Sequence, residues 1–154
     1  MLNSLLLKHK INIAAALVVA IFFLIDRLLK LTAIKIAPLS IPLIKEILSF
    51  NLATNKNIAF SLPLSGPWLN WPIVIIIFYF LWLLWQIKND ASRLKEKIAI
   101  CLIAGGALSN LIDRLQYGHV IDYLSLKYFT IFNLADVMIV TGSLLLAWQI
   151  LKKQ

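Results

Sequence analysis

Aspartates stand at the borders of the long apolar runs in this sequence. Three uncharged runs of 15 residues each are bounded by Asp26, Asp113 and Asp136, and a fourth aspartate, Asp122, lies between the last two. Two carboxylates that lie close together do not both ionise at low cost, so such a pair shares a proton and supplies one base and one acid. A pair of this kind can activate water and protonate a carbonyl oxygen, which is hydrolytic chemistry. The other chemistry open to clustered acids is proton or cation conduction.

The composition is that of a membrane protein. The chain has 154 residues, of which 61% are hydrophobic and 14% charged, and its mean hydropathy is +0.87. Soluble domains are about 45–50% apolar and about 25% charged. The net charge of +8 does not indicate a nucleic-acid partner, because the basic residues lie between apolar segments rather than along one face. We predict one integral membrane domain over residues 1–154.

Four apolar segments are near the length of about 20 residues that a helix needs to cross a bilayer. They are residues 11–31, 69–87, 97–115 and 134–151. The first lacks a small-residue cleavage site and is followed by further spans, so we expect a retained helix rather than a removed signal peptide. The predicted fold is an all-α membrane protein with four transmembrane helices.

Basic residues beside the spans predict the orientation. Eight fall on the side of the two termini and four on the opposite side, and the positive-inside bias therefore puts both termini in the cytoplasm. All four aspartates then gather at the extracytoplasmic face. An ionisable group at membrane depth costs roughly 2.5–3.5 kcal/mol, so such groups usually face the bundle interior and mark function.

Helical spacing relates several polar residues, with structural explanations still open. Asn110, Asp113 and Arg114 share a face of the third helix, and Asp26 and Lys30 can pair at i, i+4. The structural alternatives are an interfacial ion pair that fixes helix depth for Asp26 and Lys30, and an interhelical salt bridge for Asp113 with Arg114.

Asp136 also has a structural explanation. Asn133 can be an N-cap with Asp136 at N3, in a variant of the capping box. Asp122, which we expect in a loop, meets Asp136 only if the segment between them folds back. His119 is expected in a turn, and the histidines and cysteine do not predict a metal site. The small residues of "GGALS", 105–109, predict close packing of the third helix against a neighbour.

These residues together resemble a known family. The stretch "GGALSNLIDRLQYGHVIDYL", 105–124, with "FNLAD", 132–136, resembles the paired signature of the lipoprotein signal peptidases, the type II signal peptidases of bacteria. "DRLLK" in the first helix resembles the acidic and basic pair of that family. The resemblance covers essentially the whole chain. It implies that Asp122 and Asp136 are the catalytic dyad of an intramembrane aspartic protease, and we expect no cofactor and no metal.

The resemblance also implies a substrate and a set of supporting residues. The substrate would be a diacylglyceryl-modified prolipoprotein, cut just before its lipidated cysteine at the extracytoplasmic face of the bacterial inner membrane. The cyclic peptide globomycin would bind as an inhibitor. Substrate contacts would come from Asn55, Asn110 and Arg114. Support of the site geometry would come from Asp113, Asn133, Asp26 and Lys30.

Residues 36–66 are expected to form a small extracytoplasmic β-cradle. "LSFNLATN" alternates apolar and polar residues as a strand does, and strands must lie at or above the interface because lipid cannot satisfy an open sheet edge. Within "NKNIAF", 55–60, the family pattern has glycine and alanine where this chain has Asn57 and Ile58. We expect Ile58 to change the shape of the substrate rim.

Two functions from other classes stay open at this point. A proton or cation carrier subunit would use the aspartates to line a half-channel, but the polar residues stop at one face and the segment 69–87 carries no charge. A non-catalytic helical scaffold explains the hydropathy but not the repeated Asn and Asp spacing.

Overall fold

The computed structural model of the chain describes residues 2–56, 68 and 70–152. Within these residues it contains four α-helices and one four-stranded sheet. The helices are α1 (Leu2–Ile36), α2 (Asn70–Ile87), α3 (Leu94–Tyr117) and α4 (Leu134–Leu151), and the strands are β1 (Ser40–Ile44), β2 (Leu48–Asn55), β3 (Val120–Leu126) and β4 (Ile131–Phe132).

The helices agree with the apolar segments of the sequence. Among the residues that the structure describes, α2, α3 and α4 are long and apolar enough to cross a membrane, and their ends lie within three residues of the predicted ones. Helix α1 contains the predicted segment 11–31 and continues beyond it at both ends. The mostly helical architecture is confirmed. Crossing by all four helices and the side of the termini stay predictions.

The sheet is antiparallel in the order β1-β2-β3-β4. Strand β2 confirms the strand predicted over "LSFNLATN". The expectation that Asp122 lies in a loop is wrong, because Asp122 is on β3 opposite Ala53 of β2. Backbone pairing with a distant strand holds this short segment extended. Residues 57–66 of the predicted cradle, including the departures at Asn57 and Ile58, lie outside the described residues.

Helices α3 and α4 approach closely at two glycines. A Cβ on Gly106 would lie 2.4 Å from the carbonyl oxygen of Ala135, and a Cβ on Gly142 would lie 2.6 Å from that of Ala99. No residue larger than glycine fits either contact without moving the helices apart. The close packing predicted from "GGALS" is confirmed, and it brings the end of α3 to the start of α4.

Two small clusters and a tight turn position the sheet. Val19, Leu102 and Met138 pack where α1, α3 and α4 meet. A second cluster of Ala33, Phe50 and Tyr123 joins α1 to β2 and β3. Between α3 and β3 the chain turns at Gly118, whose φ is 75° and whose N–H donates to the Arg114 carbonyl at 3.0 Å. Glycine adopts this left-handed conformation without strain, and the turn directs β3 back along the bundle.

Candidate active site

Asp122 and Asp136 are brought together by the β3–β4 hairpin. Asp122 lies on β3 and Asp136 in the first turn of α4, so the thirteen residues between the two positions fold back. The side chain of Asp122 is 3% exposed, and Asp136 is half-buried. Both line one cavity of about 660 Å³.

Asn133 contacts both carboxylates. Its Nδ2 donates to Asp122 Oδ1 at 2.7 Å, and its backbone N–H donates to Asp136 Oδ2 at 3.2 Å. The Asp136 N–H in turn donates to Asn133 Oδ1 at 2.8 Å. The predicted capping box is therefore confirmed. The same asparagine also fixes the position of Asp122, so capping and site geometry depend on one residue.

Asn110 holds the other oxygen of Asp136. Its Nδ2 donates to Asp136 Oδ1 at 2.9 Å, while its Oδ1 accepts from Lys30 Nζ at 2.8 Å and from Asn133 Nδ2 at 3.1 Å. Both oxygens of Asp136 therefore accept hydrogen bonds from N–H donors. Such donors favour the ionised form of a carboxylate.

The electrostatics of Asp122 differ from those of an exposed aspartate. Burial raises the pKa of Asp122 to about 6, and the negative charge of Asp136 acts in the same direction. Hydrogen bonds from Asn133 and Asn55 and the charge of Lys30 oppose this rise in pKa. Burial and the neighbouring negative charge therefore both favour the protonated form of Asp122.

Asn55 and Arg114 complete the polar part of the cavity. Asn55 ends β2 opposite Val120, and Arg114 is on the last turn of α3. Arg114 lies within electrostatic range of Asp122 and Asp136. The remaining walls are largely apolar and come from α2, α4 and the β3–β4 hairpin. An apolar cavity with a few converging polar groups is the usual form of a small-molecule or peptide site.

The other predicted residues form a buried charge cluster behind the cavity. Lys30 Nζ lies 3.1 Å from Asp26 Oδ2 and 2.7 Å from Asp113 Oδ2, and all three side chains are 0% exposed. The pairing of Asp26 with Lys30 is confirmed, but the pair lies inside the protein and not at the lipid interface. Asp113 also pairs with Arg27 of α1, so its salt bridges join α3 to α1.

Each buried aspartate holds the backbone next to a cavity aspartate. Asp113 Oδ2 accepts from the N–H of Ile121 at 3.2 Å, and Ile121 precedes Asp122. Asp26 Oδ1 accepts from the N–H of Ala135 at 3.1 Å, and Ala135 precedes Asp136. The cluster therefore positions the two elements that carry the cavity aspartates.

Sequence reasoning missed Tyr123. Its hydroxyl donates to Asp26 Oδ1 at 2.9 Å and accepts from the N–H of Leu134 at 3.0 Å, and its ring lies 5.4 Å from that of Phe50. Burial raises the pKa of Tyr123, so the phenol stays protonated. The β-branched and aromatic residues of "VIDYL" are the local signal for a strand at this position.

Ser109 was missed as well. Its hydroxyl donates to Asp26 Oδ2 at 2.6 Å. Its place in the small-residue stretch of α3 predicts only close helix packing. As for metals, no group of three or more His, Cys, Asp or Glu residues in the described part of the chain is arranged to bind an ion.

Comparison with known proteins identifies the family. The family described as signal peptidase (SPase) II matches residues 18–152. The lipoprotein signal peptidase of Halothermothrix orenii is 36% identical over 138 residues, which are 86% of this chain and 94% of that protein. That of Caldicellulosiruptor bescii is 39% identical over 132 residues, which are 85% and 86% of the two chains.

A solved structure described as a bacterial membrane enzyme at 2.3 Å has a similar fold. It superposes with a TM-score of 0.81 at 26% identity and covers 90% of this chain and 88% of that chain. A second, at 1.9 Å, gives a TM-score of 0.75 at 27% identity. The family match, the relatives and the membrane-enzyme fold agree with the residues around the cavity: the chain belongs to the signal peptidase II family.

Proposed function

We propose that this chain is an intramembrane aspartic endopeptidase with Asp122 and Asp136 as its catalytic dyad. It cuts diacylglyceryl-modified prolipoproteins just before the lipidated cysteine. Membership of the signal peptidase II family makes it a protease that removes signal peptides from prolipoproteins. The observation that carries the aspartic mechanism is the contact of one buried residue, Asn133, with two aspartates that line the same cavity.

The two carboxyl groups divide the roles of acid and base. Asp136 starts as the ionised base, because both of its oxygens accept from N–H donors and it lies in the first turn of α4, where the helix dipole favours negative charge. Asp122, whose pKa burial raises to about 6, starts as the protonated acid. The two titrate as a coupled pair.

The dyad carries one proton at the start of the reaction and the same number at its end. Asp136 takes a proton from water as the water oxygen attacks the scissile carbonyl carbon, and Asp122 gives its proton to the carbonyl oxygen. The tetrahedral diol then collapses. Asp136 donates its proton to the leaving amide nitrogen, the C–N bond breaks, and the second diol hydroxyl returns a proton to Asp122. The dyad is thereby restored.

Substrate contacts come from the polar groups at the cavity wall. Arg114 and Asn55 line the cavity beside Asp122, which supports binding of the substrate backbone by these two side chains. The Asn110 amide is engaged with Asp136, Lys30 and Asn133, so we assign to it the positioning of Asp136 in addition to any substrate contact. Asp113, Asn133, Asp26 and Lys30 support the geometry.

The charge distribution supports an extracytoplasmic site. The dyad lies at the β3–β4 end of the bundle, whereas Lys88, Arg93, Lys95, Lys97 and Lys152 lie at the opposite end. The positive-inside bias puts that basic end in the cytoplasm. The acyl chains of the substrate then stay in the outer leaflet of the inner membrane while the scissile peptide reaches Asp122. A proton or cation carrier is not supported by the family match.

Cleavage by purified variants tests the dyad. Asp122→Asn and Asp136→Asn each remove an acid–base partner, and we expect each to lower the cleavage rate by at least about 10³-fold. The assay follows a diacylglyceryl-modified precursor in detergent by mass spectrometry. Asp90→Asn is the matched control, because Asp90 is an exposed acid at the opposite end of the bundle. Wild-type rates in either dyad variant would refute the mechanism.

The lipid requirement is tested with two precursors of one sequence, with and without the diacylglyceryl group. Burial of a CH₂ group in lipid is worth about 0.8 kcal/mol, so we expect the unlipidated precursor to be cut far more slowly. Mass spectrometry of the product should place the new N-terminus at the lipidated cysteine. Globomycin should inhibit this cleavage. Equal rates on the two precursors would exclude recognition of the lipid.

A further inference from the structure

A second cavity, of about 300 Å³, lies at the end of the bundle remote from Asp122. It is enclosed by the C-terminal ends of α2 and α4 and the N-terminal part of α3. Its walls are apolar and include Leu83, Ile100 and Leu146. Polar side chains reach it from Arg93, Glu96 and Gln149. The apolar walls suit a hydrocarbon chain, and the polar residues suit a ligand with a polar end.

Arg93 can bind an anion at this cavity. Its side chain is 37% exposed, and its Nε donates to Glu96 Oε2 at 2.8 Å. Nη2 contacts the same oxygen. A guanidinium carries five N–H donors, so donors remain for a second anion. Arg93 also compensates the Glu96 carboxylate, which is 6% exposed.

The surroundings of the cavity are positively charged. In the described residues that form this end of the bundle, 88–97 and 148–152, five basic residues face two acidic ones and leave a net charge of +3. The basic residues are Lys88, Arg93, Lys95, Lys97 and Lys152, and the acidic residues are Asp90 and Glu96. Lys97 Nζ donates to the Lys88 carbonyl at 2.8 Å. This bond ties the α2–α3 connection to α3.

Two tryptophans indicate the depth of this end in the membrane. Trp85 is 60% exposed and Trp148 is 65% exposed, and Lys88 Nζ lies 4.9 Å from the Trp85 ring centroid. Exposed tryptophans beside basic residues lie at the headgroup level of a bilayer. Leu83 precedes Ile87, the end of α2, by about one turn. The polar residues of the cavity, Arg93, Glu96 and Gln149, therefore lie at the depth of the lipid headgroups. The apolar walls lie at the depth of the acyl chains.

We propose that this cavity binds an anionic diacyl phospholipid. Its phosphate contacts Arg93 and the surrounding lysines, and one acyl chain lies along Leu83 between α2 and α4. Basic cavities between transmembrane helices recognise anionic headgroups in this way. The apolar walls select a lipid over a free phosphate, and the net positive charge selects an anionic headgroup over a zwitterionic one. The site is separate from the proposed protease function.

Native mass spectrometry of the full chain in mild detergent tests the site. The protein is titrated with dioleoyl phosphatidylglycerol and with dioleoyl phosphatidylcholine, which have the same acyl chains. We expect the anionic lipid to bind about tenfold more tightly. The variant Arg93→Gln/Glu96→Gln removes the guanidinium together with its buried partner. It should bring the affinity ratio, the affinity for phosphatidylglycerol divided by that for phosphatidylcholine, close to one. Leu83→Trp places a larger side chain in the cavity and should weaken the binding of both lipids.

Two further variants test whether lipid binding depends on the charges beside this cavity or on charges anywhere on the protein. Lys88→Gln/Lys95→Gln/Lys152→Gln changes only exposed side chains and should lower the affinity ratio even if the Arg93 variant fails to fold. Glu46→Gln/Lys127→Gln removes an ion pair at the sheet end and should leave the ratio unchanged. Equal affinity of the wild type for the two lipids would overturn the proposal. Displacement of phosphatidylglycerol by an equal concentration of inorganic phosphate would overturn it as well.

Discussion

Two pairs of aspartates lie at the same end of the bundle in different surroundings. Asp26 and Asp113 are 0% exposed and share the cation Lys30. Asp122 and Asp136 line the larger cavity and share the neutral residue Asn133. The first pair is compensated by charge and closed to the cavity. The second is held by amides and open to a substrate.

The difference explains how a chain can place four acids together. Carboxylates that carry ion pairs are committed to the fold, and here they hold the N–H groups of Ile121 and Ala135. The carboxylates held by amides lie close together, and burial and the negative charge of Asp136 favour the protonated form of Asp122. The compensated pair therefore supports the fold, and the amide-held pair is the one that we propose as the catalytic dyad.

Removing the shared cation should have the largest effect on stability. Lys30→Met leaves Asp26 and Asp113 buried without their common partner, and loss of one member of a buried ion pair costs about 3–5 kcal/mol. Thermal unfolding in detergent measures the loss. Lys127→Met is the matched control, because its pair with the exposed Glu46 is worth about 0–1 kcal/mol.

A second substitution should restore part of the stability that Lys30→Met loses. It would not do so if the loss came from a general packing defect. Lys30→Met/Asp26→Asn removes the carboxylate that has lost its salt bridge, since Asp113 keeps its pair with Arg27, and should recover part of the lost unfolding temperature. If Lys30→Met unfolds at the wild-type temperature, the two aspartate pairs do not differ as described.

Local patterns in the sequence predict most of the helical fold. Apolar segments of membrane length, the alternation over 48–55 and the Asn133 to Asp136 spacing all depend on residues close in the chain, and each corresponds to an observed helix, strand or cap. Strand β3 is different, because its partner Ala53 is far from Asp122 in sequence. A strand that depends on so distant a partner shows only a weak strand pattern in its own residues.

The candidate site is predicted in part for the same reason. The spacing of the motifs identifies which aspartates and asparagines are candidate site residues. The partners of those residues depend on how α1 packs on α3, as in the bond from Lys30 to Asn110, 80 residues away in sequence. Tyr123 was missed because its hydroxyl acts on α1 and α4 at once, while its apolar neighbours predict only an ordinary core position.

The pH dependence of stability should follow the amide-held pair. Burial raises the pKa of Asp122 to about 6, above the value of about 3.9 in an unfolded chain. The folded state then binds the proton more tightly, so this contribution to stability is full below about pH 4 and is lost as the pH rises through about 6. The loss is on the order of 2–3 kcal/mol.

Unfolding temperatures between pH 5 and pH 8 measure this contribution. The wild type should lose stability from pH 5 to about pH 6 and level off above that pH, whereas Asp122→Asn should be flatter and more stable than the wild type at pH 8. Asp90→Asn should follow the wild type, because hydrogen bonds from Ser92 lower the pKa of Asp90 and place its titration below this range. A pH profile of Asp122→Asn parallel to that of the wild type would contradict the proton assignment.

The smallest effect on activity and stability is expected for Tyr123, whose hydroxyl connects the two aspartate pairs. Tyr123→Phe keeps the ring against Phe50 but removes the hydroxyl that bonds Asp26 and the Leu134 N–H. Each of these two buried hydrogen bonds is worth about 1 kcal/mol. Because Leu134 begins α4, the first turn that carries Asp136 is less firmly placed, and we expect kcat to fall about fivefold with KM unchanged.

Kinetics on the lipidated precursor measure this split. Tyr117→Phe is the matched control, since Tyr117 is 41% exposed at the end of α3, and it should keep both constants. A purely structural role for Tyr123 would lower the unfolding temperature and the amount of active enzyme, while the surviving enzyme kept its pH profile. A role in positioning Asp136 changes the proton affinity of the dyad as well, because the charge of Asp136 is one cause of the raised pKa of Asp122. A shifted pH–rate profile in Tyr123→Phe therefore identifies the hydroxyl as a link between the charge-compensated pair and the catalytic one, and an unshifted profile limits it to the core.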